Sequence, residues 1–416
     1  MMDIVMPLDT IKLQKQERDS MLSQVYIERK GVKEALKILD SNLIKVIIGP
    51  RRAGKSVFGL LLLKGKNFAY LNFDDENLLK IKNYDDLISW LNIVYPNFEY
   101  IFFDEIQNLP NWEFLVNKLQ RRGYNLVLTG SNSKLLSGEI ASSLTGRYLQ
   151  IEVFPFSFGE VKSFNADYQL SQYLFSGGYP EVVVNHLDPR SYLKTLFEAI
   201  LFKDITKRFN LRHPQKIYDL ASYLLANFAS IYSYQALKKA VDLSSVVTTQ
   251  KYVNLLEQTL LFFSLNRFDH KLKKQFGYGK KIYAVDNGLV SSVGFQNSEN
   301  FGRLLENAVF GRLLRNELIP NTNIFYYKTK SGKEIDFVIK RGVKIENLIQ
   351  VSQSLNDAKT KKREVGALLE ASGELGCKDL VIVTMAGDEK VEDGVKVIKA
   401  EDYLQKYYRA LKERVA

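Results

Sequence analysis

The chain has 416 residues and a formal net charge of +11, too long for one ordinary core and enough for two or three domains. Hydrophobic residues make up 46% and charged residues 25%, a globular balance that excludes a fibrous or disordered chain. A single cysteine, Cys377, excludes an internal disulfide framework and a multi-thiolate zinc site; the three histidines, His186, His213 and His270, lack metal-ligand spacing.

The positive charge favours an anionic partner, nucleic acid first, with a solvated lysine-rich surface as the plain alternative. No run of about 18 apolar residues occurs, so no segment is expected to span a membrane. The opening stretch MMDIVMPLDTIKLQ has an early acid and no apolar core, unlike a secretory signal, and a cytoplasmic location is expected.

Residues 22–41 read as a helix-rich lead-in with apolar residues at helical spacing. Five short apolar runs follow: Leu43–Ile48, Phe68–Phe73, Tyr100–Phe103, Leu126–Thr129 and Leu149–Phe154. Such runs suit strands buried on both faces, and their alternation with helices predicts a doubly wound α/β domain over residues 40–155. Residues 157–230 hold several helical stretches, broken at Ser176–Glu181 and at His213-Pro214. Two short helices then flank Asp242–Ser245, followed by strands at Leu261–Leu265 and Ile282–Val285. The last segment predicts a helix at Arg303–Asn316. Strands are expected near Ile324–Lys328, Glu334–Ile339, Leu348–Ser352, Leu380–Thr384 and Val395–Ile398. No internal repeat or low-complexity linker is present.

GPRRAGKS, from Gly49 to Ser56, fits the spacing G-x-x-x-x-G-K-[ST] between the first apolar run and the helical VFGLLLLK. The loop residues Gly49, Pro50, Arg51, Arg52, Ala53, Gly54, Lys55, Ser56 and Val57 are expected to cradle the phosphates of ATP. Glycines let successive N–H groups point at phosphate oxygens. Lys55 sets a cation against the β and γ phosphates, Ser56 ligates Mg²⁺, and the helix starting near Lys55 adds its positive end.

In EYIFFDEIQ, four apolar residues make a buried strand with Asp104 at its C-terminal end, where ligands of open α/β sheets collect. Asp104 is expected to hold Mg²⁺ through its water shell, and Glu105 to polarise the attacking water. The strand Phe68–Phe73 lies between the two motifs in sequence, the order of the ATPase branch that carries a catalytic glutamate. After the next strand, Asn132 or its neighbour Ser131 can orient that water; alternatively Ser131 or Ser133 only caps a helix. Arg147 is a candidate arginine finger, in cis or from a neighbouring subunit. Arg51, Arg52, Arg208 and Arg212 are other arginines for the γ-phosphate.

With these residues in place, the first half resembles the AAA+ superfamily. More narrowly it is similar to a prokaryotic, archaeal-type group with IGPRRAGKS, FFDEIQ, TGS…LTGRY…PFSFGE and GGYPE. The likeness continues through VNLLEQTLLFF, IYAVDNGL, GRLLENAVFGRLLRN and YYKTKSGKEIDFVI, over residues 25–355. It implies a three-layer α/β/α P-loop ATPase domain, a helical and winged-helix middle, and a C-terminal α/β domain similar to restriction endonucleases. The boundaries drawn are 1–158 for the ATPase domain with its lead-in, 159–230 for a helical lid, 231–295 for the winged helix and 296–416 for the nuclease-like domain.

The helix pair Tyr234–Val241 and Val246–Leu260 has helix-turn-helix proportions. Its second helix is expected to expose Thr248, Thr249, Gln250 and Lys251 near its start and to turn Tyr252, Leu255, Leu256 and Leu260 inward. The following hairpin carries Lys271, Lys273, Lys274, Lys280 and Lys281 among aromatics, a composition suited to nucleic-acid phosphates. The rival expectation is a hairpin that packs against the rest of the chain or another subunit.

The endonuclease resemblance implies metal-holding acids at Glu306 and Asp336, and a (D/E)-x-K strand where this chain reads Gln350-Val351-Ser352. Glutamine can offer a neutral oxygen, but serine cannot supply the lysine's ammonium, so the nuclease site is expected to be inactive. The expected function is a Mg²⁺-dependent ATPase that binds ATP and ADP and couples nucleotide state to DNA, as a homo-oligomer if Arg147 acts in trans. The alternatives are a nucleotide-controlled protein-binding switch and an ATP-regulated metal-dependent nuclease.

Overall fold

The structure is a computed structural model that describes residues 7–406 except 82, 131–143, 145, 295–300 and 387–393. It divides into two compact units, Met1–Phe154 and Pro155–Ala416.

In the first unit, β1 (Ile44–Ile48), β2 (Phe68–Asn72), β3 (Tyr100–Asp104), β4 (Asn125–Thr129) and β5 (Tyr148–Glu152) form one parallel sheet in the order β2-β3-β4-β1-β5. β1 and β3 are buried along their whole length, which is why the sequence shows them as unbroken apolar runs. β4 lies between β1 and β3, so the end of β4 adjoins both the phosphate loop and the Asp104 turn. β2, which lies between those motifs in sequence, takes the sheet edge.

Two packing devices hold this frame. Helix Lys55–Leu62 sits so close to β3 that a Cβ on Gly59 would lie 2.3 Å from the Phe102 ring. Helix Pro7–Ser23 covers the edge: Gln14 donates to the Asn72 carbonyl (3.0 Å) and accepts from its N–H (2.9 Å), standing in for a strand neighbour. Arg18 donates to the Phe68 carbonyl and lies over the Phe68 and Tyr95 rings. An edge closed this way no longer offers a template for strand addition.

The second unit begins with helices Phe158–Phe164, Leu170–Ser176, Pro180–Asn185 and Pro189–Ala199. The glycine pair of GGYPE is steric: a Cβ on Gly178 would lie 2.0 Å from the Phe156 carbonyl oxygen, and Gly177 has φ +72. Strands β6 (Ser230–Tyr232), β7 (Phe262–Leu265) and β8 (Lys280–Ala284) form an antiparallel sheet in the order β6-β8-β7, with helices Tyr234–Ala240 and Val246–Gln258 between β6 and β7. The β7–β8 connection carries a short helix, Leu272–Gly277, at its tip. Next come helix Phe301–Leu314, β9 (Ile324–Lys328), β10 (Glu334–Arg341), β11 (Lys344–Ser354), helix Ala358–Leu375, β12 (Leu380–Ala386) and β13 (Val395–Lys399). Their sheet runs β13-β12-β11-β10-β9, antiparallel from β9 to β11 and parallel from β11 to β13. A core of Phe325, Ile335, Val338, Leu348, Leu368 and Ile382 fills one face.

Candidate active site

The phosphate loop follows from its local backbone. Gly49 passes so close to β5 that a Cβ would lie 2.0 Å from the Val153 carbonyl oxygen, and Gly54 takes φ +88 as the N-cap of helix Lys55–Leu62. Both positions exclude a side chain, the second because left-handed backbone favours glycine. Arg29, buried, donates to the carbonyls of Ala53 (3.3 Å) and Phe154 (2.5 Å) and so ties the loop to the chain leaving β5. No motif singles Arg29 out.

Lys55 is buried, and its Nζ donates to the carbonyls of Gly49 (3.3 Å) and Pro50 (3.1 Å). The ammonium is thus held inside the loop whose N–H groups would face phosphate. Ser56 Oγ donates to Asp104 Oδ1 at 3.0 Å, which brings together two residues 48 positions apart in sequence. Two hard oxygen donors at the mouth of a phosphate loop fit Mg²⁺, which takes few protein ligands and keeps the rest of its shell for phosphate and water.

Asp104 also accepts from Tyr70 Oη (3.1 Å) and from the Thr129 hydroxyl. Burial pushes its carboxyl up to about 6, with Glu105 adding to the rise; hydrogen bonds from Thr129, Ser56 and Tyr70 pull the other way. Glu105 stands just past the strand with φ +49, a left-handed conformation that turns the chain sharply. Its N–H donates to Thr129 Oγ1 (3.0 Å), and its carboxylate accepts from Gln107. Backbone strain of this kind costs on the order of 1–3 kcal/mol and persists only where surrounding contacts impose it. Thr129, fully buried at the end of β4, serves both carboxylate residues. Sequence offered only a weak signal for it: a polar residue closing an apolar run.

Residues 41–162 match the family model of an AAA domain, and residues 167–299 and 301–403 match two further families, each described as a domain of unknown function. The chain is 35% identical over 363 residues to an uncharacterized protein of Methanocaldococcus jannaschii, covering 80% of each chain. The chain belongs to the AAA-domain family of P-loop ATPases. An uncharacterized protein of Haemophilus influenzae is 29% identical over 411 residues, 92% of this chain and all of that one. Among solved structures, a Walker-type ATPase of Pyrococcus abyssi aligns with a TM-score of 0.42 at 13% identity, over 64% of this chain and 96% of that chain. Cdc6p of Pyrobaculum aerophilum aligns with a TM-score of 0.28 at 12% identity, over 59% and 91%.

In this AAA-domain protein, Ser131, Asn132 and Ser133 lie outside the described residues. Arg147 is exposed and immediately precedes β5, its carbonyl accepting from the N–H of Ile44 at the start of β1. The phosphate loop lies at the opposite ends of these strands, roughly 16 Å away at ~3.3 Å per residue. Arg147 therefore does not reach a γ-phosphate held by its own chain, which corrects the cis reading.

In the second unit, Thr248, Thr249, Lys280 and Lys281 depart from the expected exposure. Thr249 is fully buried and donates to the Ser245 carbonyl (2.9 Å), one turn back on the inner face, so it is not a reading residue. Thr248 is half-buried and shares its hydroxyl with Ser245 in the N-cap; Gln250 and Lys251 are exposed. Tyr252, Leu255, Leu256 and Leu260 are buried, as their spacing predicted. In the β7–β8 connection Lys271, Lys273 and Lys274 are exposed, whereas Lys280 is half-buried over the Tyr234 ring.

Lys281 is the largest departure. It is 2% exposed and pairs with Glu306 (2.7 Å), Glu334 (2.7 Å) and Asp336 (3.0 Å). Burial alone lowers the Lys281 pKa, but these carboxylates, with Tyr283, hold the ammonium well above its usual range. Burial and the neighbouring Asp336 raise Glu306, which also accepts from Tyr283 Oη at 2.6 Å. Gln350 is occupied elsewhere, accepting from the Asp336 N–H (3.3 Å) and donating to Glu364 (2.8 Å). Ser352 donates to the Ser354 carbonyl. No helix among the described residues is long and apolar enough to cross a membrane.

Proposed function

We propose that the protein hydrolyses ATP with Mg²⁺ and couples its nucleotide state to DNA binding by residues 155–416. The observation that carries the first part is the Ser56–Asp104 contact at 3.0 Å, set between Lys55 and Glu105. Lys55 and the loop N–H groups would hold the β and γ phosphates. Ser56 and Asp104 would hold Mg²⁺, which would neutralise negative charge on the phosphates. Glu105 would accept a hydrogen bond from the attacking water, and Asn132 would orient that water. Arg147 would act only in trans, within a homo-oligomer.

The domain reading that goes with this is an ATPase domain over 1–158, a helical lid over 159–230, a winged helix over 231–295 and a nuclease-like, non-cutting domain over 296–416. The helix pair between β6 and β7 of an antiparallel sheet, and the exposed Lys271, Lys273 and Lys274 on the β7–β8 connection, support a nucleic-acid surface. A second reading, a nucleotide-controlled protein-binding switch, draws on Val247, Leu272 and Phe276, exposed by 76%, 66% and 73% in the same segment.

Turnover of ATP by the full chain decides the core claim. Lys55→Ala should abolish nucleotide binding and hydrolysis, while Glu105→Gln should keep binding and lose turnover; an unchanged Glu105→Gln rate would remove that residue from the chemistry. Stimulation by DNA, with binding that weakens steeply in salt, supports the DNA reading. Indifference to DNA favours the switch.

A further inference from the structure

An endonuclease-like carboxylate site implies a divalent cation, and the donors present here do not fit one. Glu334 and Asp336 stand at alternate positions of β10 and so share a face. Glu306 joins them from helix Phe301–Leu314, and Lys281 enters from β8 of the neighbouring three-stranded sheet. An ammonium has three N–H donors and no acceptor. Lys281 Nζ lies 2.7, 2.7 and 3.0 Å from three separate carboxylate oxygens, Glu306 Oε1, Glu334 Oε1 and Asp336 Oδ1, and donates hydrogen bonds to the last two.

One outer oxygen is engaged too. Asp336 Oδ2 accepts from the Val351 N–H (2.9 Å). Tyr283, two residues from Lys281 on the same face of β8, donates to Glu306 and stacks on Phe310 at 4.2 Å. Among the described residues no group of three or more His, Cys, Asp or Glu side chains is arranged to hold a metal ion.

We infer that the Lys281 ammonium is a built-in counter-ion that occupies the cation position of this cluster, so that the cluster fastens β8 to β10 and the helix Phe301–Leu314 and takes no divalent metal. Two consequences separate this from a nuclease whose lysine has migrated. A lysine that positions water must face solvent, and Lys281, 2% exposed, faces three carboxylates instead. A metal would need oxygens at about 2.0–2.6 Å from the point where Nζ stands, and the ammonium bars that approach. The inference goes beyond the ATPase reading and stands whether or not ATP is hydrolysed.

The experiment uses the full chain without nucleotide, so that no metal binds through phosphate. Mn²⁺ binding is followed by electron paramagnetic resonance, and the unfolding midpoint with and without Mn²⁺. Wild type and Asp336→Asn should bind Mn²⁺ alike, with no site that depends on Asp336. Lys281→Met leaves facing carboxylates without their cation. Its midpoint should fall, Mn²⁺ should raise it again, and Lys281→Met/Asp336→Asn should lose that response. If Lys281→Met folds only when Mn²⁺ is added, the inference is also supported.

Two results would overturn it: an Asp336-dependent Mn²⁺ site in the wild type, or a folded Lys281→Met that takes up no Mn²⁺. If Lys281→Met fails to fold even with Mn²⁺, the wild-type comparison still decides. Plasmid cleavage by the wild type with Mn²⁺, lost in Asp336→Ala, would overturn the inference as well.

Discussion

At the scale of single residues, Thr129 connects the two acids of the candidate site. Its hydroxyl donates to Asp104 and accepts from the Glu105 N–H, so one side chain holds the Asp104 carboxylate and the turn that carries Glu105. Thr129→Val keeps the shape and removes both bonds. The half-buried Glu105 N–H is then left without that acceptor, at a cost of about 1 kcal/mol in stability. Turnover should fall by more than ATP affinity does, as separate kcat and Kd measurements would show. Asp286 offers a second test. It accepts from the N–H groups of Gly178 (2.7 Å) and Gly288 (2.9 Å), and burial pushes its carboxyl from 3.8 up to about 6 despite them. The native state therefore holds this proton more tightly than the unfolded chain. Its contribution to stability is fully present below about pH 4 and is lost as pH rises through 6. Denaturation midpoints across that window should show the fall, and Asp286→Asn, which cannot titrate, should flatten that part of the profile.

At the scale of elements, the approach of helix Lys55–Leu62 to β3 sets where the phosphate loop stands. By helix propensity alone Gly59→Ala should gain about 1 kcal/mol. The Cβ would instead meet Phe102 at 2.3 Å inside a packed core, so a net loss of about 1–3 kcal/mol is expected. Urea denaturation would measure it, and Phe102→Leu in the same chain should recover part of the loss. Helix periodicity served well where burial is one-sided, as in Val246–Gln258, whose Tyr252, Val253, Leu255 and Leu256 are buried. Residue type misled at Thr249, which shares the buried face with Tyr252, Val253 and Leu256: a hydroxyl that returns to the Ser245 carbonyl satisfies itself and can be buried like an apolar group. The same limit applies to the β7–β8 connection, where a run of lysines in sequence separates into exposed tip residues and a buried Lys281.

At the scale of the whole molecule, the positive charge that suggested nucleic acid is unevenly available. Lys271, Lys273 and Lys274 are exposed, and Lys281 is neutralised by carboxylates. Replacing the three exposed lysines by alanine should weaken DNA binding for every sequence. It should also lower the slope of log K against log salt by about 2–3, since each phosphate contact contributes about 0.7–0.9. Fluorescence anisotropy over a salt series would measure this. Unchanged binding would remove the tip of this connection from the interface.

The local parts of this protein were determined by sequence alone. The phosphate loop, the Asp104-Glu105 pair and the buried strands each depend on residues within a few positions, through backbone conformation, strand alternation and burial on both faces. Tertiary structure decided what depends on distant partners. β4 rather than β2 stands between the two motifs, so Thr129 reaches Asp104 across 25 positions. Arg147 lies at the far end of its strand from the phosphates. Lys281 finds two of its three acids, Glu334 and Asp336, 53 and 55 positions away. A lysine in a basic run reads as a surface charge until the fold brings carboxylates to it. Only their proximity compensates the desolvation of that charge.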